Sequence, residues 1–380
     1  MKIVLFSNTD WYLYNFVSSF AISLRKAGYE VILVSPSGPY GQRLQALGFR
    51  WFAAPMQRKS FNPWSELRFL VWFVRFLRRE RVTLLHAFTI KCVIYASLAA
   101  RSCQGIARAA SVSGLGYSFT NRSVQARAVK PLVKWALRLA LGGDRCRLIL
   151  QNRDDVSLFY DYKLVDNEKI RLIRGSGVNT KRFRPAKKLP SIKNFRIVMP
   201  ARLLWDKGVG ELIEAAKLLK TRQVKVSIAL AGESDSGNPA AISVEQVKEW
   251  HNQGVVEWLG KVDDMPAIFQ SVNAVVLPSY REGLPKSLTE AAACGLALVT
   301  TDAPGCREVV THEVDGLLVP IKDVESLADA IERLVNDPEL CQRLGKAARH
   351  KVLTEFDSRI IDRQTMAVYD ELIHSSIKAG

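Results

Sequence analysis

Residues 196–208 read RIVMPARLLWDKG, a short apolar run followed by a charged loop that ends in glycine. The length of the run at 196–200 and its Ile and Val content are typical of a buried β-strand, and a helical pattern follows over residues 208–220. A strand, a loop and a helix in this order are typical of a parallel α/β sheet. Arg202 and Lys207 lie in the loop, at the sheet edge where open α/β folds bind ligands.

The same alternation of short apolar runs and helical patterns extends in both directions from this stretch. It begins at Ile3–Phe6, and the polar segment Pro185–Asn194 divides it into two series. Strands without polar alternation indicate parallel sheets covered on both faces. We therefore predict an α/β fold of two Rossmann-like domains, residues 1–185 and 186–356, with a terminal helix at about 357–380 packing back on the first.

Composition excludes several classes of protein. The 380 residues suffice for two separate cores. An apolar fraction of 48% and a charged fraction of 24% exclude disordered, collagenous and multi-span membrane chains. The six cysteines form no C-x-x-C pair, so neither a disulfide framework nor a zinc knuckle is indicated. Met1–Phe6 predicts a strand and not a signal peptide, and no stretch reaches the ~18 apolar residues that span a bilayer.

Charge divides the chain unequally. Up to Pro185 there are 30 Lys and Arg residues against 10 Asp and Glu, a charge of +20, whereas the remainder has 24 against 27, a charge of −3. Such asymmetry predicts that the first half meets an anionic partner, either nucleic acid or a lipid surface. The alternative is a basic surface that only aids solubility.

Residues 280–291, YREGLPKSLTEA, form a second candidate site with the first loop. The guanidinium of Arg202 can bind a phosphate through two N–H groups, and Lys207 adds a second positive charge. The alternative is that both side chains belong to a loop that only faces solvent. Pro285 suits a first helical turn, whose amides would face a diphosphate. The carboxylates of Glu282 and Glu290 can bind different parts of one elongated ligand. The alternative is that both are acidic residues that interact favourably with the dipole at a helix start, and this explanation suits Glu282 better than Glu290.

Together these residues resemble the retaining glycosyltransferases of family 4, which have the GT-B architecture. The resemblance rests on the R-x4-K pair Arg202 and Lys207, on the E-x7-E pair Glu282 and Glu290, on the run EAAACGLALV that begins at Glu290, and on DGLLVP at 315–320. The segments SGLGYSF at 113–119 and GVNTKRF at 177–183 resemble bacterial members that act on polyprenyl-diphosphate-linked sugars.

The resemblance implies roles for these residues. Two domains face each other across a cleft, with the nucleotide sugar on the second and the acceptor on the first. Arg202 and Lys207 bind the donor diphosphate, Glu290 the ribose and Glu282 the transferred sugar. Gly283, Leu284 and Pro285 complete the donor site. Because no D-x-D occurs in the sequence, we expect no metal and no cofactor besides the UDP-sugar donor.

The sequence departs from the family on the acceptor side. Many relatives have H-x-H in a strand-end loop of the first domain, whereas residues 85–91 read LHAFTIK, with Phe88 in place of the second histidine. His86 is the candidate catalytic residue here, with Lys91 as a possible substitute. The alternative is that His86 is a structural hydrogen-bonding residue.

Two basic segments predict contact with a membrane or with the acceptor. Residues 64–81, WSELRFLVWFVRFLRRER, combine aromatic residues with arginines, as helices at an anionic lipid surface do. Residues 122–138 form a second basic helix. The alternative is that these are ordinary helices that cover the sheet, and part of each segment must have that role. The candidate contact residues are Lys59, Trp72, Arg75, Arg78, Arg79, Lys130 and Lys134.

The resemblance therefore implies a glycosyltransferase that moves an N-acetylhexosamine such as GalNAc from a UDP-sugar to an undecaprenyl-diphosphate-linked saccharide in bacterial surface-glycan or O-antigen assembly. We expect it in the cytoplasm, on the membrane's cytoplasmic face, with no nucleic acid partner. One alternative is a nucleotide-sugar epimerase, which would consume the donor without an acceptor. The other is a non-catalytic nucleic-acid-binding protein, which would bind oligonucleotides and not anionic liposomes.

Overall fold

The computed structural model of the protein describes residues 1–57, 62–113, 124–187, 190–235 and 237–377, without the side chains of 124–129, 192 and 375–377. The chain forms two compact units. The first comprises Met1–Ser176 and the residues from Ile361 onward, and the second comprises Gly177–Ile360. Pro185–Asn194, the segment that separates the two series of strands in the sequence, thus lies inside the second unit.

A seven-stranded parallel sheet forms the centre of the first unit, in the order β3-β2-β1-β4-β5-β6-β7. The order reverses between β1 and β4, the kind of position where open α/β sheets bind ligands. The strands are β1 (Lys2–Phe6), β2 (Glu30–Ser35), β3 (Arg50–Ala53), β4 (Leu84–Phe88), β5 (Ala107–Val112), β6 (Cys146–Leu150) and β7 (Ile170–Leu172). The helices are α1 (Asp10–Tyr12), α2 (Ser18–Lys26), α3 (Gly41–Ala46), α4 (Pro63–Arg79), α5 (Ile90–Arg101), α6 (Val124–Leu141) and α7 (Arg153–Asp161).

Alternating strand residues of this sheet enter two different cores. Val4 and Phe6 face a core that includes Phe69 and Phe73 of α4 and side chains of α5 and α6. Ile3 faces the opposite core, together with side chains of α2 and α3. Helix α5 contacts both α4 and α6, so these three helices form one layer. Both faces of the sheet are covered, which is why its strands are apolar throughout.

The second unit has a six-stranded parallel sheet in the order β10-β9-β8-β11-β12-β13, with its reversal between β8 and β11. The strands are β8 (Phe195–Pro200), β9 (Val226–Ala231), β10 (Glu257–Gly260), β11 (Ala274–Leu277), β12 (Ala297–Thr301) and β13 (Leu317–Val319). The helices are α8 (Val209–Thr221), α9 (Val244–Asn252), α10 (Met265–Gln270), α11 (Lys286–Ala293), α12 (Cys306–Val309), α13 (Val324–Asn336) and α14 (Pro338–Lys351).

The C-terminal helix α15 (Ser358–Ile377) belongs to the first unit from Ile361 onward. Tyr369 and Leu372 are fully buried in the core on the Ile3 side of that unit's sheet. Glu371 accepts hydrogen bonds from Arg147 of β6 and Arg171 of β7, the last two strands at one side of the sheet. The unit is therefore completed by residues from the opposite end of the chain.

The structure confirms the predicted class, two α/β units with parallel sheets. It adds β7 and β13, which the sequence analysis did not identify because each has only three residues. Among the helices in the described part of the chain, none combines the length and apolar character needed to cross a membrane.

Candidate donor site and candidate acceptor residues

The loop after β8 carries Arg202 and Lys207 and is held close to the end of β11. Gly208 has a φ of 77°, and a Cβ there would lie 2.1 Å from the carbonyl oxygen of Pro278. Only glycine fits a left-handed backbone this close to another chain segment. The loop therefore places Lys207 at the reversal of strand order between β8 and β11.

Glu282 lies in the loop after β11 and pairs with Lys207. The Lys207 Nζ lies 2.5 Å from Oε1 of Glu282, and the Ser279 hydroxyl donates to the same oxygen at 2.8 Å. The two charged side chains have exposed fractions of only 17% and 14%. Because removal of one partner would leave a mostly buried charge uncompensated, a ligand that displaces Glu282 from Lys207 must itself be anionic.

Arg202 is the more accessible cation of the pair. Its guanidinium donates to the carboxylate of Asp235 at 2.7 Å, and half of the side chain is exposed. Exposed ion pairs contribute about 0–1 kcal/mol, so Arg202 can exchange Asp235 for another anion at little cost.

Helix α11 begins next to this pair. The sequence prediction placed Pro285 within its first turn, but the structure makes Pro285 the N-cap, with Lys286 as the first helical residue. The Pro285 carbonyl accepts the amides of Leu288 and Thr289. Gly283 and Leu284 lie between Glu282 and this N-terminus. First-turn amides carry partial positive charge, so this end of α11 favours an anion.

Glu290 pairs with a different lysine, one turn into α11. Its Oε1 lies 3.8 Å from Nζ of Lys286. Burial raises the pKa of Glu290, while the charges of Lys286 and Arg182 oppose that shift. Sequence analysis did not single out Lys286 or Arg182 for this position. The spacing of Lys286 and Glu290 by four residues was the available signal.

Tyr280 is a further residue that sequence analysis missed. Its hydroxyl donates to Glu211 of α8 at 2.5 Å, and its amide donates to the carbonyl of Asp206 at 3.0 Å. Burial and the hydrogen bond to Glu211 raise the pKa of Tyr280. These contacts join the two loops that carry Lys207 and Glu282. No local pattern reveals them, because Glu211 and Tyr280 are 69 positions apart.

His86 lies on β4 of the first unit, fully enclosed by its partners. Its Nδ1 is 2.6 Å from the Tyr369 hydroxyl and its Nε2 is 2.7 Å from Oγ of Ser111. Burial lowers the pKa of His86 to about 3, so the imidazole is neutral. This geometry favours a structural role, linking α15 to β4 and β5, over the predicted catalytic role.

Lys91, the suggested substitute for the missing histidine, pairs with Glu66 of α4 at 2.8 Å and also donates to the carbonyl of Gln57. Phe88 packs against His86, with their ring centroids 4.2 Å apart. Residues 114–119 of the SGLGYSF segment lie outside the described residues.

The structure divides the predicted membrane residues into several groups. Trp72 is partly buried and stacks on Phe73 and Phe76, so it belongs to the core more than to the surface. Arg75, Arg78 and Arg79 are exposed on α4. Lys59 lies outside the described residues. Lys130 donates to the Tyr162 hydroxyl and Lys134 lies over the Tyr162 ring, which keeps both lysines near α7.

The structure has two α/β units, the second with a cation and a carboxylate at its strand reversal, and the comparisons with known proteins assign this arrangement to the GT-B glycosyltransferases. Residues 2–142 match the family described as glycosyl transferase 4-like, and residues 180–351 match glycosyl transferases group 1. A Campylobacter jejuni N,N'-diacetylbacillosaminyl-diphospho-undecaprenol α-1,3-N-acetylgalactosaminyltransferase is 30% identical over 98% of this chain and 99% of that protein. The chain belongs to this glycosyltransferase family, family 4, and is an enzyme of that class.

Two further comparisons agree with this assignment. An Escherichia coli UDP-Gal:α-D-GlcNAc-diphosphoundecaprenol α-1,3-galactosyltransferase is 25% identical over 86% of this chain and 84% of that protein. The structure of Anabaena HepE in complex with UDP-glucose shares the fold, with a TM-score of 0.76, 18% identity and coverage of 98% of this chain and all of that one. Because both matched families are glycosyltransferases, neither the epimerase nor the nucleic-acid-binding alternative is supported.

Proposed function

We propose that this enzyme transfers an N-acetylhexosamine, such as GalNAc, from a UDP-sugar to an undecaprenyl-diphosphate-linked saccharide, with retention of anomeric configuration. The observation that carries the proposal is the Lys207–Glu282 pair, beside Arg202 and the start of α11 at the β8/β11 reversal. The step would serve the assembly of a bacterial surface polysaccharide or O-antigen.

Arg202 and Lys207 bind the donor diphosphate in this proposal. As the bond between the anomeric carbon and the diphosphate breaks, negative charge grows on the leaving group, and fixed cations and helix-start amides stabilise it more than the ground state. The diphosphate replaces Glu282 at Lys207 and Asp235 at Arg202. The acceptor hydroxyl forms the new bond to the same carbon and releases its proton to the diphosphate side.

The two glutamates bind the uncharged parts of the donor. Once displaced from Lys207, Glu282 accepts hydrogen bonds from hydroxyls of the transferred sugar, with the backbone of Gly283, Leu284 and Pro285 beside it. Glu290 lies further along α11 and accepts from the ribose diol. A carboxylate can accept both hydroxyls of a diol, which suits the second role.

The comparisons support the choice of donor and acceptor. UDP-glucose is bound in the HepE structure, and the E. coli relative is named for a UDP-sugar. The relatives from C. jejuni and E. coli are both named for undecaprenol-diphosphate acceptors, and the former for N-acetylgalactosamine. We infer the same classes of donor and acceptor here.

A lipid-linked acceptor requires access to a membrane, and we propose that α4 and α6 provide it. Helix α4 exposes Trp64 and Leu67, and α6 exposes Leu132 and Trp135. The two helices flank α5 in one layer of the basic first unit. Exposed apolar side chains beside arginines suit the cytoplasmic face of an anionic inner membrane, so we infer a peripheral cytoplasmic enzyme.

The direct test is a screen of the purified protein against radiolabelled UDP-, GDP- and dTDP-sugars, with a lipid extract as acceptor. We expect label in the lipid fraction only with UDP-sugars, most with UDP-N-acetylhexosamines, and an α-linkage by NMR. Label transferred from another nucleotide class contradicts the donor assignment. Consumption of the donor without acceptor would instead indicate an epimerase.

A further inference from the structure

A cavity of about 40 Å³ lies at the carboxyl edge of the first unit's sheet, beside the ends of β4, β5 and β6. Every described residue that lines it belongs to the first unit, so no residue of the candidate donor site is among them. Its apolar side includes Phe16, Phe20 and Phe88, and its polar side includes Gln151, Ser176 and Asp362.

Two residues in the walls of this cavity, or next to them in sequence, have unusual backbone conformations. Phe16 belongs to a π-helical turn, Leu13–Val17, and such wide turns often occur at functional sites. Thr89, directly after Phe88, has φ 76° and ψ 151°, a conformation that only glycine adopts readily. Strained backbone that the surrounding structure maintains is a reason to infer a function for the site it shapes.

The size of the cavity limits what can enter it. A water molecule needs roughly 10–15 Å³ by the same measure, so the cavity holds about three waters or a substituent of similar size. A pyranose ring with its hydroxyls is too large, whereas one side group of such a ring fits.

The chemistry of the walls limits the ligand further. Among the described residues that line the cavity there is no Lys or Arg, and Asp362 contributes a carboxylate. A phosphate or a sugar carboxylate is therefore unfavourable. The side-chain amide of Gln151 and the hydroxyl of Ser176 make no hydrogen bond within the described part of the chain, so both are available to a neutral polar group.

We propose that this cavity binds the acetamido group of an N-acetylated acceptor sugar, an inference that rests on the proposed function. The methyl group contacts Phe16 and Phe88. The acetamido N–H donates to Asp362, which also accepts from the Ser23 hydroxyl, and the acetamido carbonyl accepts from Gln151 or Ser176. The cavity thus selects acceptors whose terminal sugar is N-acetylated.

The test compares two synthetic acceptors, farnesyl-diphosphate-linked N-acetylglucosamine and the matched glucose compound. We expect the wild-type enzyme to prefer the N-acetyl acceptor by about 10- to 200-fold in kcat/KM. Saturation-transfer NMR with the methyl glycosides of the same two sugars tests the cavity without turnover, and the acetyl methyl should show the strongest transfer. Equal kcat/KM values for the two acceptors, or equal saturation transfer to the two methyl glycosides, would overturn the proposal.

Ser176→Leu narrows the cavity, and Ser157→Leu on the exposed face of α7 is the matched control. Ser176→Leu should raise KM for the N-acetyl acceptor about 10-fold and leave KM for the glucose acceptor within about 2-fold. An equal rise in both KM values counts against the cavity. Gln151→Ala provides a second variant of the cavity. Calorimetry checks that each protein binds UDP. Failure of the wild-type protein to bind UDP would count against the proposed function and not against the cavity.

Discussion

At the scale of single residues, the candidate donor site contains a cation, Lys207, whose partner in this structure is a carboxylate. Lys207 and Glu282 are 2.5 Å apart and mostly buried, and Ser279 donates to the same carboxylate oxygen. In the proposed reaction the diphosphate takes the place of Glu282 and leaves that carboxylate for the sugar. One pair therefore connects phosphate binding with sugar binding.

Replacing Lys207 tests this connection. Lys207→Ala should lower kcat about 10²- to 10³-fold, because a fixed charge opposite the leaving group is lost. The matched control is Lys217→Ala on α8, the helix that follows the Lys207 loop, where Lys217 forms an exposed ion pair with Glu214. Turnover rates and circular dichroism are measured for both. Wild-type turnover in Lys207→Ala would refute the assignment.

Glu290 gives a prediction with a defined pH dependence. Burial raises its pKa, so the carboxylate is protonated at a higher pH than an ordinary glutamate. If the ionised form accepts from the ribose, UDP affinity falls as the pH is lowered through that raised pKa. The charges of Lys286 and Arg182, which face the same carboxyl, oppose this rise in its pKa.

Glu290→Gln should weaken UDP binding about 10-fold at neutral pH and remove most of the acid dependence. Isothermal titration between about pH 5 and pH 8 measures both effects, with Glu339→Gln, at an exposed position of α14, as the control. A pH profile that is unchanged in Glu290→Gln would assign the dependence to another group.

At the scale of elements, arginines have a structural use that the charge count does not reveal. Arg78 donates to the carbonyl of Ser102 at the end of α5, and Arg101 and Arg108 donate to the carbonyls of Leu139 and Ala140 near the end of α6. Cations at helix C-termini complement the dipole and the unpaired carbonyls. Part of the +20 charge of residues 1–185 therefore stabilises helices of the first unit, and only the remainder is available to an anionic partner.

Helix α4 combines both roles that its sequence suggested. Phe69, Phe73 and Phe76 are buried against the sheet, while Trp64 is 80% exposed. The aromatic residues of the helix are thus divided between the core and the surface by helical position, every third or fourth residue facing inward.

Membrane binding should depend on the exposed tryptophans. Trp64→Ala combined with Trp135→Ala should lower binding to liposomes that contain anionic lipid by about 10-fold or more, because both remove apolar area from the proposed surface. Sedimentation with liposomes measures the bound fraction, and Tyr160→Ala, an exposed aromatic position on α7, is the control. Equal binding by the double variant and the control would exclude α4 and α6 as the docking surface.

At the scale of the whole molecule, each unit has its own buried core, and the C-terminal helix supplies part of the first. Leu372 of α15 is fully buried in the first unit and Leu344 of α14 is fully buried in the second. Because these buried side chains lie in cores of different units, we expect two separate unfolding events.

A reciprocal pair of substitutions tests this expectation. Leu372→Ala should destabilise only the first unit and Leu344→Ala only the second, each by about 2–5 kcal/mol. Calorimetry should resolve two transitions, and UDP at about 100 times its Kd should raise only the second unit's transition, by about 2.7 kcal/mol of stability. A single transition lowered equally by both substitutions would contradict independent units.

The amino-acid sequence by itself determined the β-α-β alternation, the two parallel sheets and the candidate residues Arg202, Lys207, Glu282 and Glu290. These features are visible because hydrophobic period, strand length and loop chemistry are local properties. The strands β7 and β13 were missed because three residues are too few to show a periodic pattern of hydrophobic residues.

Only the tertiary structure decided which of these side chains meet. Lys207 contacts Glu282 across 75 positions of sequence, and His86 contacts Tyr369 across 283, a contact that lies in the buried interior of the first unit. Such pairs follow from strand order and from the return of α15 to the first sheet. No local pattern encodes them, because the free energy of a long-range contact depends on every element that brings its two ends together.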